Sequence, residues 1–181
     1  CLRQAGVERL QLDLADVRVI DAVLAPVQMP ADRLRAIHAA LATKDEPGLR
    51  ELAAHLPVEV RQDLVHLPRL FGGAEVIQTA RDVLTPSPAL TTALDDLTWL
   101  AAHAASNDMT LSVDLSDLRG YAYYTGMRFA VFAHGRDGAA LELARGGRYD
   151  EVGAVFGRKR PAVGFSLDLK ELVQAVAPRP L

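Results

Sequence analysis

The chain has 181 residues, of which 50% are hydrophobic and 24% are charged, a composition that excludes a disordered or collagen-like protein. Its 20 Lys and Arg residues against 23 Asp and Glu residues give a net charge of −3, so it lacks the basic surplus of proteins that bind nucleic acid through its phosphates. One cysteine cannot form an internal disulfide, and no apolar run approaches the ~20 residues of a transmembrane helix, so we expect a cytoplasmic protein with no membrane or nucleic-acid partner.

Residues 1–28 predict a strand followed by a helix. Leu10, Leu12 and Leu14 alternate with polar residues, which is typical of a half-buried strand. Asp16 can then cap a helix, because a side-chain oxygen at that position accepts from the free backbone N–H groups. The regular pattern begins almost at once after Cys1, so we expect the chain to be a piece of a longer protein.

Residues 29–105 are predicted to form a helical segment, because apolar side chains recur there at intervals of three and four residues. A helix is predicted to start at Ser87-Pro88, since serine caps a helix well and proline suits its first turn. Another helix is predicted after Gly73, and the side chains expected to face the protein interior are Val76, Ile77, Ala80 and Val83. The histidines of the chain lack the spacing of a zinc site, so we expect this segment to serve packing and the chain to hold no metal.

Residues 106–181 predict strands, and the change of pattern falls at Ser106-Asn107-Asp108. The continuous apolar run 129–133 predicts a strand buried on both faces. Asp137-Gly138 is a turn signal that joins this run to a returning strand at 141–143. Further strands are predicted at 111–115 and 162–167, and a last helix at 170–176. Helices on one side of a mainly antiparallel sheet make an α+β fold.

The segment 118–126, LRGYAYYTG, carries the residues best suited to bind a small molecule. The guanidinium of Arg119 fits a carboxylate with two hydrogen bonds, and a tyrosine offers both a ring face and a hydroxyl. In a regular strand Tyr123 and Tyr124 would point to opposite faces, so only one would enter a given pocket unless the glycines bend the chain. Taken alone, the segment fits a structural role better than a binding role.

Two further segments have open interpretations. Gly146 and Gly147 allow a close approach of the backbone to a ligand, or they end the strand that precedes them. The basic run Arg158-Lys159-Arg160 is either a solvated turn or an anion site, and the first interpretation is favoured.

Three segments together resemble the second half of the histidyl-tRNA synthetase catalytic core. They are 118–126, GGRYD at 146–150 and PAVGFSLDL at 161–169, and they follow the order and spacing of the family patterns R-G-x-D-Y-Y, G-G-R-Y-D and A-x-G-F-x-x-G-x-E-R-L. The resemblance is close over residues 107–172. It implies an antiparallel sheet of the class II aminoacyl-tRNA synthetase type, incomplete in this chain, accompanied by a helical segment.

The departures from the synthetase pattern concern its chemistry. Glu171 stands where the family has the arginine that holds ATP phosphate, and Asp168 stands where it has glycine. Ala122 replaces the aspartate of the first pattern. Only a short stretch follows Leu172, so we expect no anticodon-binding domain. The resemblance therefore implies no adenylation chemistry, no catalytic residues and no cofactor.

A synthetase-like core without adenylation resembles the regulatory subunit of ATP phosphoribosyltransferase, a paralogue of histidyl-tRNA synthetase. This resemblance implies a non-catalytic partner of the short-form catalytic subunit, required for the first step of histidine biosynthesis and for its feedback inhibition by histidine. It also implies assembly with further copies of itself. The alternatives are a truncated histidyl-tRNA synthetase catalytic core and an interaction module without enzyme chemistry.

The same resemblance implies a histidine site. Its expected residues are Arg119, Tyr124, Tyr123, Gly146 and Gly147. Arg119 would bind the carboxylate of histidine, and a tyrosine hydroxyl would bind the imidazole. Ala122 and Ala130 remove acidic groups of the synthetase pattern, which weakens the expected recognition of the amino group. An incomplete sheet would also expose an edge and an apolar face, so we expect it to pair with another copy, another chain or the remaining part of the protein.

Overall fold

The computed structural model describes residues 2–104, 109–135 and 138–176. Cys1, the predicted change of pattern at Ser106-Asn107-Asp108 and the Asp137 half of the predicted turn lie outside the described residues. Within the described ranges, one six-stranded sheet carries helices on one face.

The sheet has the strand order β2-β3-β1-β4-β5-β6. The strands are β1 (Leu10–Asp16), β2 (Phe71–Gly72), β3 (Met109–Asp114), β4 (Met127–His134), β5 (Ala140–Arg148) and β6 (Val163–Leu167). β1 and β3 are parallel, and the other four neighbouring pairs are antiparallel. The predicted α+β fold with a mainly antiparallel sheet is therefore confirmed.

Two helices begin where the sequence predicts capping residues. The helices are α1 (Val17–Leu24), α2 (Ala31–Ala42), α3 (Glu46–Leu52), α4 (Val58–His66), α5 (Glu75–Val83), α6 (Pro88–Ala104) and α7 (Leu169–Ala175), with short 3₁₀ turns at Leu67–Arg69 and Val152–Phe156. The Asp16 carboxylate accepts from the Arg18 N–H at 3.0 Å, and the Ser87 hydroxyl accepts from the Leu90 N–H at 3.2 Å. Both predicted caps are confirmed, and each satisfies a backbone donor that the helix cannot pair internally.

One continuous hydrophobic core joins the helices to the inner face of β1 and β3. Leu12 and Leu14 of β1 are buried in this core together with Ile37 of α2 and Leu97 of α6. Burying each such side chain contributes about 1.5–3 kcal/mol, so the helices α1–α6 hold the centre of the sheet in place. None of the helices in the described ranges is long and apolar enough to cross a membrane.

Two local predictions are wrong. Val83, predicted to face inward, is exposed, because Leu84 directly after the end of α5 takes the buried position instead. The run 129–133 is not buried on both faces: Ala130 and Ala133 are buried, but its three larger side chains are half-buried. The helical layer does not fully cover Phe129 and Val131, and Phe132 lies on the opposite face of the sheet, so all three keep part of their surface in solvent.

The exposed edge expected for an incomplete sheet is present at β6, the last strand in the order. Val163 and Phe165 are 80% and 71% exposed, and Leu167 is exposed as well. Leu169 and Val173 of the following α7 extend this apolar surface. It lies far along the sheet from the parallel pair β1–β3.

Candidate functional site

The segment between β3 and β4 is a tight loop rather than a strand. Gly120 has φ +76°, and its carbonyl accepts from the N–H groups of Tyr123 at 2.8 Å and Tyr124 at 2.9 Å. A Cβ on Gly120 would lie 2.7 Å from the Tyr124 ring, so only glycine fits both the backbone and the packing. We call residues 118–125 the ligand loop, after the histidine-binding role that the sequence predicts for it. Its glycine supplies the bend that a regular strand would have lacked.

The bend gathers three tyrosines. The ring centroids of Tyr123 and Tyr124 are 5.6 Å apart at 77°, an edge-to-face arrangement. The Tyr149 ring, directly after β5, lies 5.0 Å from Tyr123 and 6.3 Å from Tyr124. Tyr123 and Tyr124 therefore contact each other instead of pointing to opposite faces. The sequence did not single out Tyr149 as a site residue, although the GGRYD segment that contains it was an available signal.

Arg119 is held by a neighbouring carboxylate. Its Nε donates to Asp117 Oδ1 at 3.1 Å and Oδ2 at 3.0 Å, and its Nη2 donates to Oδ2 at 2.7 Å. Asp13 of β1 lies 4.0 Å from the same Nη2. The hydrogen bonds to Asp117 raise the pKa of Arg119, which stays cationic. Its side chain is 56% exposed, so this cation is accessible to a ligand even though two of its nitrogens are engaged.

Asp117 also pairs with a second, buried arginine, Arg128 at the start of β4. The Nη2 of Arg128 donates to Asp117 Oδ2, and both side chains are below 10% exposed. The Nε of Arg128 is buried with no hydrogen-bond partner. Burial lowers the pKa of Arg128, although Asp117 opposes this shift. Burial by itself would raise the pKa of Asp117, but hydrogen bonds from Arg119 and the charge of Arg128 hold it below its usual value.

The sequence did not predict a role for Asp117 or Arg128. Asp117 stands two residues before Arg119, a spacing that permits a local ion pair and was an available signal. Arg128 immediately precedes an apolar run, and a charge in that position is more often solvated than buried. The pairing of these two residues depends on the loop that brings β4 back beside β1.

The ligand loop opens onto the face of the sheet that points away from the helices. The pairing of β1, β4 and β5 places Asp13, Ala130 and Arg145 side by side on this open face, because residues paired across antiparallel strands share a face. A cavity of about 210 Å³ on the open face is lined in part by Gln11 and Asp13, and Gln11 donates to Asp13 at 2.8 Å. The open face is therefore polar and carries both charge signs next to Arg119.

Gly146 and Gly147 lie inside β5, so the interpretation that they end a strand is wrong. A Cβ on Gly147 would lie 2.5 Å from the Met127 carbonyl oxygen and 2.8 Å from the Tyr124 ring. A Cβ on Gly146 would lie 2.6 Å from the Phe165 Cβ. The two glycines thus permit close approach of the neighbouring strands and seat Tyr124. Neither needs a positive φ.

Asp168 and Glu171, the two carboxylates that depart from the synthetase pattern, have structural roles at the start of α7. Asp168 accepts from the N–H groups of Lys170 at 2.9 Å and Glu171 at 3.1 Å, which makes it a helix cap. Glu171 stands in the first turn, where a negative charge interacts favourably with the helix dipole. In the basic run 158–160, Lys159 pairs with Glu151 at 2.7 Å and all three residues are exposed, as expected for a solvated turn.

A second cavity, of about 520 Å³, lies on the helix-bearing side between α6 and β6. Trp99, Phe129 and Phe165 line it, and Arg18 and Asp96 stand at its polar end, paired at 2.8 Å. Its walls are apolar, and it is continuous with the exposed side chains of β6. Of the residues predicted to bind histidine, Gly147 alone lines it.

Comparison with known proteins identifies relatives for the whole chain. A family model described as histidyl-tRNA synthetase matches residues 1–172. The ATP phosphoribosyltransferase regulatory subunit of Acidovorax sp. (strain JS42) is 48% identical over 98% of this chain and 45% of the relative. The protein of the same name from Albidiferax ferrireducens is 48% identical over 100% of this chain and 46% of the relative. The chain thus spans about half the length of the curated relatives it matches.

Solved structures show the same fold. An ATP phosphoribosyltransferase regulatory subunit/histidyl-tRNA synthetase from Bacillus halodurans superposes with a TM-score of 0.77 at 29% identity, covering 98% of this chain and 47% of that chain. Histidyl-tRNA synthetase from Nostoc sp. PCC 7120 gives 0.68 at 17% identity, covering 95% and 43%. The HisG:HisZ complex of ATP phosphoribosyl transferase from Thermotoga maritima gives 0.65 at 15% identity, covering 91% and 55%. The last two likenesses concern the fold alone.

Proposed function

We propose that this chain, which belongs to the histidyl-tRNA synthetase family, is part of an ATP phosphoribosyltransferase regulatory subunit. In this proposal the chain binds histidine on the open face of its sheet. The observation that carries this proposal is the 48% identity, over nearly the whole chain, to curated proteins of that name. The protein is then a regulatory partner of an enzyme that joins ATP to phosphoribosyl diphosphate, and it supplies no catalytic residue of its own.

The charges at the start of α7 support a non-catalytic role. Glu171 stands where the synthetase pattern has the arginine that holds ATP phosphate, and Asp168, in place of the pattern's glycine, adds a second carboxylate nearby. Like charges at close range repel, and the repulsion is stronger where water is partly excluded. A triphosphate is therefore disfavoured at this helix end.

The ligand loop supports histidine as the effector. Arg119 is a partly exposed cation that can bind a carboxylate, and Tyr124 beside it offers a hydroxyl for the imidazole nitrogen. Tyr123 and Gly147 complete the lining, whereas Gly146 faces Phe129 and Phe165 on the opposite side of the sheet and can contribute only its backbone. Asp117 fixes the direction of Arg119, so the amino-acid carboxylate meets a guanidinium that is already oriented, which lowers the entropic cost of binding.

The partners follow from the proposed role. The Thermotoga maritima structure of the same fold is an ATP phosphoribosyl transferase complex of HisG with HisZ, and we assign this chain a short-form catalytic subunit as partner, together with further copies of itself. Histidine would inhibit the enzyme by binding two assembly states with different affinity, for which a coupling free energy of ~1–3 kcal/mol is typical.

The test uses the complete protein, meaning the natural polypeptide that contains this chain, mixed with the short-form catalytic subunit of the same organism. We expect phosphoribosyl transfer to ATP to depend on the complete protein and to be inhibited by histidine. Isothermal titration should detect histidine binding and no tight ATP binding. Histidine-dependent exchange of pyrophosphate into ATP would instead identify a histidyl-tRNA synthetase core and overturn the proposal.

A further inference from the structure

Tyr121 is the tyrosine of the ligand loop that the proposed histidine site does not use. Its side chain contacts the helices α1 and α2. The Tyr121 hydroxyl donates to the Asp21 carboxylate of α1. Its ring centroid lies 4.3 Å from that of His38 in α2, with the planes at 63°. A single side chain therefore joins the loop to two helices.

The hydroxyl is suited to this contact. Burial, followed by the hydrogen bond to Asp21, raises the pKa of Tyr121, so the proton stays on the phenol as a donor. His38 is partly buried, and its Nε2 has no hydrogen-bond partner. Burial lowers the pKa of His38, although Asp21 opposes this shift. The ring that faces Tyr121 is accordingly an uncharged aromatic surface at neutral pH.

The rest of the loop is anchored at its two ends. Asp117 pairs with Arg128 at the beginning, and the Thr125 N–H donates to the Arg148 carbonyl at 2.9 Å at the end. Tyr121 lies between these anchors, two residues after Arg119 and three before Tyr124. Because the Gly120 carbonyl accepts from the N–H of Tyr124, a displacement of Tyr121 moves the residues on both sides together.

We infer that Tyr121 is the positioning residue of the ligand loop: held by Asp21 and His38, it fixes Arg119 and Tyr124 against the helices and ties the histidine site to the position of α1 and α2. The inference rests on the proposed histidine site. It means that histidine affinity is set partly by residues that never touch histidine, and that a change in the position of α1 or α2 is transmitted to the loop.

The first test needs no ligand. In the complete protein, Tyr121→Phe removes only the hydroxyl, and Asp21→Ala removes only its acceptor. Each change should speed hydrogen exchange of the loop amides of Tyr123 and Tyr124 by about tenfold, the loss expected for one hydrogen bond to a charged group. Asp21→Asn keeps an acceptor oxygen but loses the charge, so its exchange rate should lie between those of wild type and Asp21→Ala. Unchanged exchange in Tyr121→Phe would overturn the inference.

The second test measures histidine affinity by titration in the same variants. Tyr121→Phe and Asp21→Ala should each weaken binding by about three- to tenfold, and the double variant should be no weaker than either alone. Asp21→Asn, which keeps an acceptor oxygen without the charge, should bind more tightly than Asp21→Ala. Equal affinity in wild type and Tyr121→Phe would show that the loop does not need the tether. If wild type itself binds no histidine, the proposed function fails, and the exchange experiment still decides whether Tyr121 positions the loop.

Discussion

Asp117 is the residue on which the geometry of the candidate site depends. It accepts hydrogen bonds from the accessible Arg119 and from the buried Arg128. A buried cation that loses its carboxylate partner is strongly destabilising, whereas an exposed ion pair contributes little. The two arginines should therefore respond differently to mutation, one in stability and the other in binding.

Asp117→Ala is expected to lower the free energy of unfolding by about 3 kcal/mol, because it leaves Arg128 buried without a counter-charge. Urea denaturation of the complete protein, with and without the substitution, measures this change in the free energy of unfolding. The double variant Asp117→Ala with Arg128→Met should recover most of the loss. A loss below about 1 kcal/mol in the single variant would show that water compensates Arg128.

Arg119→Ala is expected to change stability by less than about 1 kcal/mol, because its ion pair with Asp117 is partly exposed. It should weaken histidine binding at least about tenfold and abolish feedback inhibition, since it removes the charge that we propose for binding the carboxylate. Inhibition at normal histidine concentrations in this variant would place the carboxylate-binding group elsewhere.

His38 gives a pH dependence with a defined sign. Burial lowers its pKa in the folded state below the ordinary 6.5, so the unfolded chain binds a proton more readily. Its contribution to stability is therefore present above about pH 6.5 and is lost as pH falls through the folded pKa. Thermal unfolding at several pH values should show this loss. His38→Gln should flatten the profile in that range while leaving other acid-induced losses in place.

At the scale of elements, the glycines of β5 show how a strand can make room for a site. Gly147 faces the Met127 carbonyl and the Tyr124 ring, and both would collide with a methyl group. Gly73, before α5, is a contrasting case, because the atoms near its added Cβ belong to the flexible Glu75 side chain. The backbone and the aromatic ring cannot move aside as the Glu75 carboxylate can.

Gly147→Ala should therefore cost about 1–3 kcal/mol of stability, the usual range for overpacking a filled site, and should weaken histidine binding by displacing Tyr124. Gly73→Ala is the matched control and should cost clearly less. Differential scanning calorimetry and histidine titration on both variants make the comparison. Equal effects of the two changes would contradict the role assigned to Gly147.

Elements specified by local chemistry were predictable from the sequence, and those that depend on distant contacts were not. The cap at Asp16, the start at Ser87-Pro88 and the strand at 162–167 depend on neighbouring residues. The two-residue strand β2 carries no periodicity at all. For the candidate site, the sequence singled out Arg119, Tyr123 and Tyr124, which the structure places in one loop, but not Tyr149. The burial of Arg128 and the tether from Tyr121 to Asp21 required the folded chain, because the latter joins residues 100 positions apart.

For the molecule as a whole, the important contrast is between the covered and the uncovered parts of the sheet. The helices pack on β1 and β3, while β6 is an edge strand with exposed apolar side chains. An edge with free backbone groups and apolar side chains is a template for pairing with another chain. In relatives about twice as long, the additional residues are available to cover such an edge.

The chain expressed by itself should accordingly self-associate through β6. Phe165→Lys places a charge on the exposed edge, and its side chain is exposed enough for the fold to tolerate the change. Analytical ultracentrifugation over a concentration series should show larger species for the unmodified chain and fewer for Phe165→Lys. Val58→Lys, which adds the same charge at an exposed apolar position on α4, is the control and should reduce association less. Equal effects of the two variants would show that net charge, and not the β6 edge, controls association.

The parallel pairing of β1 with β3 has a consequence for how the chain folds. Leu10 pairs with Met109, so the centre of the sheet forms only when a loop of roughly a hundred residues closes, and pairings of such long range slow folding. The intervening helices can form early because their contacts are mostly local. The candidate site, which combines Asp13 with a loop beyond Asp114, is then among the last parts to assemble, so any ligand of this site can bind only after the architecture is complete.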